Sequence, residues 1–457
     1  MIPVDGKIKA AFQSDSMPKY YKLQFTEVED PETHEVLVPE KVIESNKIKS
    51  DSISLTEPMC SEEQLHYGCN EAATFECEVE YDTESLVGRL FNVYLQLGDY
   101  SEPEDIFTVG RYLVDGEELS SDRRTKKITA YDINYILNLY DVTYWLYSLE
   151  FPMTIKQIRD SLFDYLGGFT QVEKILPNDH IVLYENPLYG ELDITFEKII
   201  KGILEWNGVF GHINRNGSFD YISLTPTDNT ETRPSKDTFP AHYLHPKSIK
   251  GRNYYINPHL IKSDITWQNY KCRAVDIVQV RDKAGNAIAE YHLPLKNTYT
   301  NIYVIKENWI TDGLDEQNLQ EAVINFANAI QDISYTPCDA NLKMDLSLEV
   351  GDAITLTGTD GTRIPTYIFT RTMTGTTSAF DAIEATGYEE WINDPPSNDG
   401  AVDEIMDELV DLNDRLTDVE SKQASGEGSI RIESVPQLPS SPKKNVLYLV
   451  QGSVYVR

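Results

Sequence analysis

Five cysteines (Cys60, Cys69, Cys77, Cys272 and Cys338) and eight histidines (34, 66, 180, 212, 242, 245, 259 and 292) are the residues with which this 457-residue chain could build a nucleophile–base pair or hold a metal. The cysteines form no C-x-x-C, and the closest pairs stand eight or nine residues apart with no histidine spaced to complete a zinc site. They read as structural thiols in a reducing compartment. Only His242-Tyr-Leu-His245 is a close histidine pair, and beside Pro246 in linker-like sequence it reads as a solvated loop. The chain has no H-E-x-x-H, G-x-S-x-G, phosphate loop, dinucleotide fingerprint or EF-hand. With 74 Asp and Glu, any carboxylate pair suited to glycoside hydrolysis can be found, so such pairs argue nothing either way. Asn216-Gly-Ser218 fits a glycosylation sequon, but the same residues are explained by a turn. The expectation is a chain with no catalytic residue, no cofactor and no metal.

Charge says more than any motif. Forty Lys and Arg against 74 acids leave a formal net charge of -34, which repels nucleic acid and anionic lipid over most of the surface. Between residues 51 and 105 fourteen acids face one basic residue, Arg89. Within that stretch Ala73, Phe75, Cys77, Val79 and Tyr81 alternate with Thr74, Glu76, Glu78 and Glu80, so a strand of period two gathers the three carboxylates on one face. A solvated face is the ordinary reading of such a run. In a ring, Glu76, Glu78 and Glu80 would instead repeat around an axis as a negative collar, letting a polyanion pass without holding it.

The elements that must carry these residues are mainly strands. Runs at 90–97, 107–114 and 127–131, separated by turn-rich pieces such as Asp115-Gly116, suggest a compact antiparallel barrel or sandwich over residues 1–139. Residues 140–225 change period. Thr154 with Gln157 makes a capping box ahead of Ile155, Ile158, Leu162 and Leu166, and Gly167-Gly168 ends that helix. A second helix follows Thr195, and a hairpin turns at 214–217, giving a small α+β insert. The polar stretch 225–237 reads as a linker, and residues 226–392 read as a second β-rich domain with one helix at about 314–330 and strands at 354–357 and 367–370. Residues 393–422 hold a linker and then Val402, Ile405, Leu409, Leu412, Leu416 and Val419 at alternating steps of three and four, an a/d seam compatible with three strands. A single amphipathic helix docked on its own domain is the alternative. Residues 423–457 form a flexible joint and a terminal hairpin, 446–450 against 454–456. The fold class expected is thus α+β and β-rich: two barrel-like domains, an α+β insert, a short coiled coil and a β-hairpin.

The N-terminus, MIPVDGKIKAAFQSDS, has no continuous apolar core of a signal peptide, and no stretch approaches the roughly 20 apolar residues of a membrane span. A product made in the cytoplasm, without membrane insertion, is expected.

Asp51-Ser-Ile-Ser-Leu-Thr-Glu57, Cys60-Ser-Glu-Glu-Gln-Leu-His-Tyr-Gly68 and Asn70-Glu-Ala-Ala-Thr-Phe-Glu-Cys-Glu-Val79 resemble the N-terminal region of tail hub proteins of long-tailed phages and prophages of Gram-positive bacteria. Leu348-Glu-Val-Gly-Asp-Ala-Ile-Thr-Leu356, with Gly361-Thr-Arg-Ile-Pro365 and residues 375–387, is similar to the second β domain of the same proteins. The resemblance covers residues 1 to about 392 and rests on packing and turn patterns. It implies a homotrimeric baseplate hub or tail tip in the virion tail, with six β domains in pseudo-sixfold array and assembly in the host bacterial cytoplasm. Its implied partners are a distal tail protein or tail tube ring, the tape measure protein and other tail-tip or fibre proteins, with DNA passing through the channel without stable binding. Some such hubs continue into a peptidoglycan endopeptidase. Here only an acidic helix, a joint and a hairpin follow, although residues 435–450 look like a short tail-fibre terminus. The alternatives are a tail-associated cell-wall hydrolase and a receptor-binding tail tip.

Overall fold

Alternation between buried and half-buried residues from Thr74 to Glu80 makes a strand that packs Phe75, Cys77 and Val79 inward, and this strand lies near the middle of the largest sheet. The computed structural model describes residues 10–29, 36–98, 106–227, 254–256, 258–263, 265–293, 300–358, 360–376 and 379–391, together with strands at 431–434, 446–450 and 453–455. Residues 1–391 form one unit and 392–457 another.

In the first unit eleven strands share one sheet. In chain order they are β1 (Lys19–Phe25), β2 (Lys41–Glu44), β3 (Ser54–Pro58), β4 (Thr74–Glu80), β5 (Leu90–Leu97), β6 (Ile106–Leu119), β7 (Thr125–Asp132), β8 (Thr266–Trp267), β9 (Cys338–Lys343), β10 (Thr370–Thr374) and β11 (Phe380–Ala385). Their spatial order is β8-β9-β11-β10-β3-β4-β7-β6-β5-β1-β2, with antiparallel neighbours throughout.

No sheet among the described residues closes into a barrel, and the two regions expected as barrel-like domains contribute strands to one sheet. The physical reason is β3. It pairs with β4 on one side (Ser54 opposite Glu76) and with β10 on the other (Thr370 opposite Pro58), so backbone groups of the first β region are satisfied by the second. The chain after β2 nevertheless curls back, through a bridge between Ile48 and Val79 and a Lys49 N–H that donates to Glu78 O at 2.8 Å.

Two further expectations change. Asp115-Gly116 is no turn but a bulge inside the 14-residue β6, where the register shifts between Val114 and Gly116 against β7. One extra residue bends the strand, which leaves its ladder with β5 at Leu113 and goes on pairing with β7 to Leu119. Residues 367–370 are a corner instead of a strand. Tyr367 ends a strand (Arg363–Tyr367) that pairs with Ala353–Thr357, while Thr370 opens β10 in the large sheet.

The helices start where capping chemistry places them. Thr154 caps α3 (Ile155–Leu166) in a reciprocal box with Gln157, Thr195 caps α4 (Phe196–Trp206), and Asp315 caps α5 (Glu316–Ile330). Two shorter helices, α1 (Ile133–Leu139) and α2 (Thr143–Ser148), lead into them. The hairpin at 214–217 joins Phe210–Ile213 to Phe219–Ile222, with Gly217 at φ +81°. Two cores result. One holds the inward faces of β1 and β3–β7, together with Met344, Leu346, Met373 and Ala379 from the later β region. The other joins α1–α5, the hairpin and the strands after residue 254. No described helix is long and apolar enough to cross a membrane.

In the second unit Val446–Val450 and Ser453–Tyr455 form the expected antiparallel hairpin, with Leu449 opposite Val454. A third strand, Arg431–Ser434, adds to it in parallel. The a/d seam from Val402 to Val419, the 423–428 joint, and His242 and His245 lie outside the described residues.

Candidate functional site

Glu76, Glu78 and Glu80 share the outward face of β4, as the alternation requires, and each meets a lysine. Glu76 Oε1 lies 2.6 Å from Lys127 Nζ, Glu78 Oε2 lies 2.8 Å from Lys49 Nζ, and Glu80 Oε2 lies 3.9 Å from Lys47 Nζ. Thr125 Oγ1 also donates to Glu78 at 3.1 Å. The Lys49 ammonium holds the Glu78 carboxyl below its usual range, and Glu76 raises Lys127. The stripe is therefore a ladder of paired charges. Lys127 arrives because β7 pairs with β4 with Glu78 opposite it, and Lys47 and Lys49 arrive through the Ile48–Val79 bridge. Counting charges within residues 51–105 missed all three lysines, which lie outside that window but inside the same patch.

All five cysteines are buried, while among the histidines His180 and His292 sit in exposed ion pairs. Burial pushes the Cys77, Cys272 and Cys338 thiols up to about 12, far from the thiolate a nucleophile requires. His180 Nε2 meets Glu321 Oε1 at 2.8 Å, and His292 pairs with Glu290. Burial lowers His212, against the opposing pull of Glu57.

Fifteen residues, 59–73, connect β3 to β4 without regular secondary structure. Their apolar members are inside, with Met59, Cys60, Leu65, Tyr67 and Cys69 all within the helix-bearing core. Tyr67 sits among Phe210, Tyr303, Phe326 and Trp391, each ring centroid within 6.1 Å. Gly68, at φ +97°, brings the backbone against α4, where a Cβ would stand 2.9 Å from Lys201 O. The connection lines a cleft of about 280 Å³ with Glu62, His66, Lys198, Lys201 and Lys306 around its mouth. Deep in it, Glu205 accepts hydrogen bonds from Asn308 Nδ2 (2.8 Å) and Tyr303 Oη (3.2 Å), and burial raises its carboxyl. Cys60 and Cys69, set aside by the spacing argument, meet here with their sulfurs 3.2 Å apart. Their contact and burial raise the Cys69 thiol.

Where β3 meets β10, Arg371 is fully buried. Nη2 lies 2.9 Å from Asp381 Oδ2, Nη1 lies 3.5 Å from Glu57 Oε2, and the guanidinium donates to Leu348 O and Asp345 O at 2.5 and 2.9 Å.

No protein family matches the chain, and no curated protein does either. Among solved structures it is similar to a tail protein from Neisseria meningitidis MC58, with a TM-score of 0.44 and 9% identity over 82% of this chain and 98% of that one. It is also similar to the 43 kDa tail protein of prophage MuSo2 from Shewanella oneidensis (TM-score 0.43, 12% identity, 76% and 95% covered). A third similar structure is prophage tail protein gp18 from Listeria monocytogenes EGD-e (TM-score 0.43, 13% identity, 80% and 94% covered).

Proposed function

We propose that the chain is a structural tail hub of a phage or phage-like particle, a homotrimer that closes the distal tail tube and anchors a central fibre or tip. The observation that carries this reading joins the two sequence segments on which the hub resemblance rests. They are nearly 300 residues apart, yet the first supplies β3 and β4, while the second supplies Ala353–Thr357 and the corner leading into β10. They meet through the β3–β10 ladder, the Met59 N–H to Phe369 O bond (2.7 Å) and the Gly375 N–H to Ile53 O bond (3.1 Å). A hub needs its two β regions held in one orientation, because their spacing sets the pseudo-sixfold match to a tube. A continuous hydrogen-bonded sheet serves that purpose better than a flexible linker.

In this reading the β regions form the ring, the distal tail protein or tube ring and the tape measure protein contact it, and DNA passes without stable binding. Residues 402–419 would start a central three-stranded coiled coil. The protein works in the virion tail as an assembly part without peptidoglycan-cleaving activity. The charge ladder on β4 supports a narrower role for Glu76, Glu78 and Glu80 than a bare negative collar: with a lysine beside each acid, that face would neither attract nor strongly repel a polyanion.

Electron microscopy of the purified full-length protein tests the reading, with threefold rings around a central pore expected. Light scattering that gives a strict monomer at micromolar concentration, together with single copies per tail, overturns it. Replacing Leu409 and Leu412 by Asp should release the coil, because a trimer would then bury six like charges, while the ring persists. Zymography on peptidoglycan should show no lysis zone, and a zone abolished by one point mutation would make the protein a hydrolase.

A further inference from the structure

The 59–73 connection is long and irregular, and backbone bonds such as Gly68 N–H to Val209 O and Gly211 N–H to Cys69 O tie it to the hairpin. Segments of this length without secondary structure are uncommon inside a compact fold and tend to be functional or disordered. Part of this one is well buried, with Cys60 at 1%, Leu65 at 1%, Tyr67 at 1%, Cys69 at 4% and Asn70 at 1% exposure, while Ser61, Glu62, Glu63 and His66 are exposed. It also gathers five metal-ligating side chains in twelve residues: Cys60, Glu62, His66, Cys69 and Glu71. Two triads, Cys60–Cys69–Glu71 and Glu62–His66–Cys69, each bring their donor atoms within 4.8 Å of one another, and Cys69 belongs to both.

We propose that this loop binds one zinc ion through the Cys60–Cys69–Glu71 triad, with His66, which meets Cys69 in the second triad, turning in as the fourth ligand, as a structural site that fixes the β3–β4 connection against α4. Two thiolates, an imidazole and a carboxylate suit a borderline-soft ion in tetrahedral coordination. Both sulfurs are already in contact at 3.2 Å, so binding requires the thiols to lose their protons and part slightly, not a refolding of the loop. His66 is exposed and has its donor within 4.8 Å of Cys69, so a side-chain rotation on zinc binding would complete the set from the solvent side, imidazole being a better partner for thiolate-bound zinc than the Glu62 carboxylate. The surroundings fit. Ser61 N–H donates to Glu71 Oε1 at 2.8 Å, an outer hydrogen bond of the kind that orients a ligating carboxylate. Lys201 acts electrostatically on Cys69 and Glu62, offsetting the negative charge that two thiolates and a carboxylate leave around a divalent ion. On the far side, Asn70 is clamped by Asn134 Nδ2 (2.8 Å) and by its own bond to Asn138 Oδ1 (2.6 Å), which holds the Cys69–Glu71 turn in place. Read as a linear motif, C-x-E-x3-H-x2-C-x-E has no familiar zinc spacing. The loop's path, not its periodicity, makes the cluster.

The test uses the full-length chain grown with zinc and purified without chelator. Elemental analysis should give one zinc per chain, and cobalt loaded in its place should produce a sulfur-to-cobalt charge-transfer band. Cys69→Ser should lose both the zinc and the band, His66→Ala should weaken zinc by at least about tenfold, and Cys77→Ala, in the other core, should keep both. The cobalt spectrum and thiol titration of the unmutated chain decide the matter even where Cys69→Ser misfolds. Substoichiometric zinc with five freely titrating thiols in excess zinc overturns the proposal. So does a metal-free chain with only three titratable thiols, because a Cys60–Cys69 disulfide would then occupy the sulfurs.

Discussion

Arg371 Nη2 and Asp381 Oδ2 lie 2.9 Å apart with neither side chain exposed to solvent, directly where the ladder between β3 and β10 ties the two β regions together. The pair is completed by Glu57 from β3 and by the carbonyls of Asp345 and Leu348, so one guanidinium joins three stretches of chain. Charges removed from water this fully are tolerated only when they are paired, and here both guanidinium Nη atoms are engaged while Arg371 Nε and Asp381 Oδ1 have no hydrogen-bond partner among the described residues.

Arg371→Met should therefore destabilise the first unit by about 3–5 kcal/mol, since Asp381 and Glu57 would remain buried without a cation. Arg371→Lys should rescue little, because a single ammonium cannot reach two carbonyls and two carboxylates in the guanidinium's fork geometry. Chemical denaturation of both variants against the unmutated chain measures this, and a lysine variant of native stability would refute the fork argument.

A second buried acid sets a pH dependence. Asp132 caps α1, accepting from Asn134 N–H at 2.9 Å and Ala73 N–H at 3.0 Å, and burial lifts its pKa from 3.8 to about 7. The folded state thus binds the proton more tightly than the unfolded one. The stabilisation is full below about pH 4 and is lost as pH rises to about 7, at up to about 1.4 kcal/mol per pH unit. Asp132→Asn should remove that slope while costing stability at all pH values, because its amide cannot accept from Ala73. The difference between the two denaturation curves as a function of pH isolates Asp132 from the other buried acids.

Inside the α+β insert, Arg159 Nη2 sits 3.0 Å from Asp179 Oδ2 and donates to Lys174 O at 3.0 Å, with the guanidinium 4.7 Å from the centre of the Tyr221 ring. Arg159→Ala should cost about 3–5 kcal/mol through the stranded Asp179 charge. Replacing Asp179 by Asn in the same chain should recover part of it, a recovery that a double-mutant cycle would reveal.

Gly68→Ala meets two obstacles at once, a left-handed backbone and a Cβ 2.9 Å from both Lys201 O and Glu205 Cβ. A loss of about 1–3 kcal/mol is expected, with faster hydrogen exchange confined to the 59–73 connection and the second half of α4. Exchange unchanged there would mean that the loop does not depend on its close approach to the helix.

Features set by neighbours in sequence were legible from the residues alone. The Thr154–Gln157 box, the strand Leu90–Leu97, the hairpin turning at Gly217 and the terminal pairing of Leu449 with Val454 all follow from side-chain period and capping or turn chemistry within a dozen residues. What the tertiary structure alone decided are the meetings across long separations. Thr56 faces Thr372 across the joined sheet, and Lys127 and Lys49 neutralise Glu76 and Glu78. Cys69 reaches Cys60 over only nine residues, but through a loop whose irregular path no period predicts. Alternation says which face a side chain occupies, but not which strand lies beside it. That choice depends on satisfying every backbone edge and filling two cores at once, a condition of the whole chain that no short window contains.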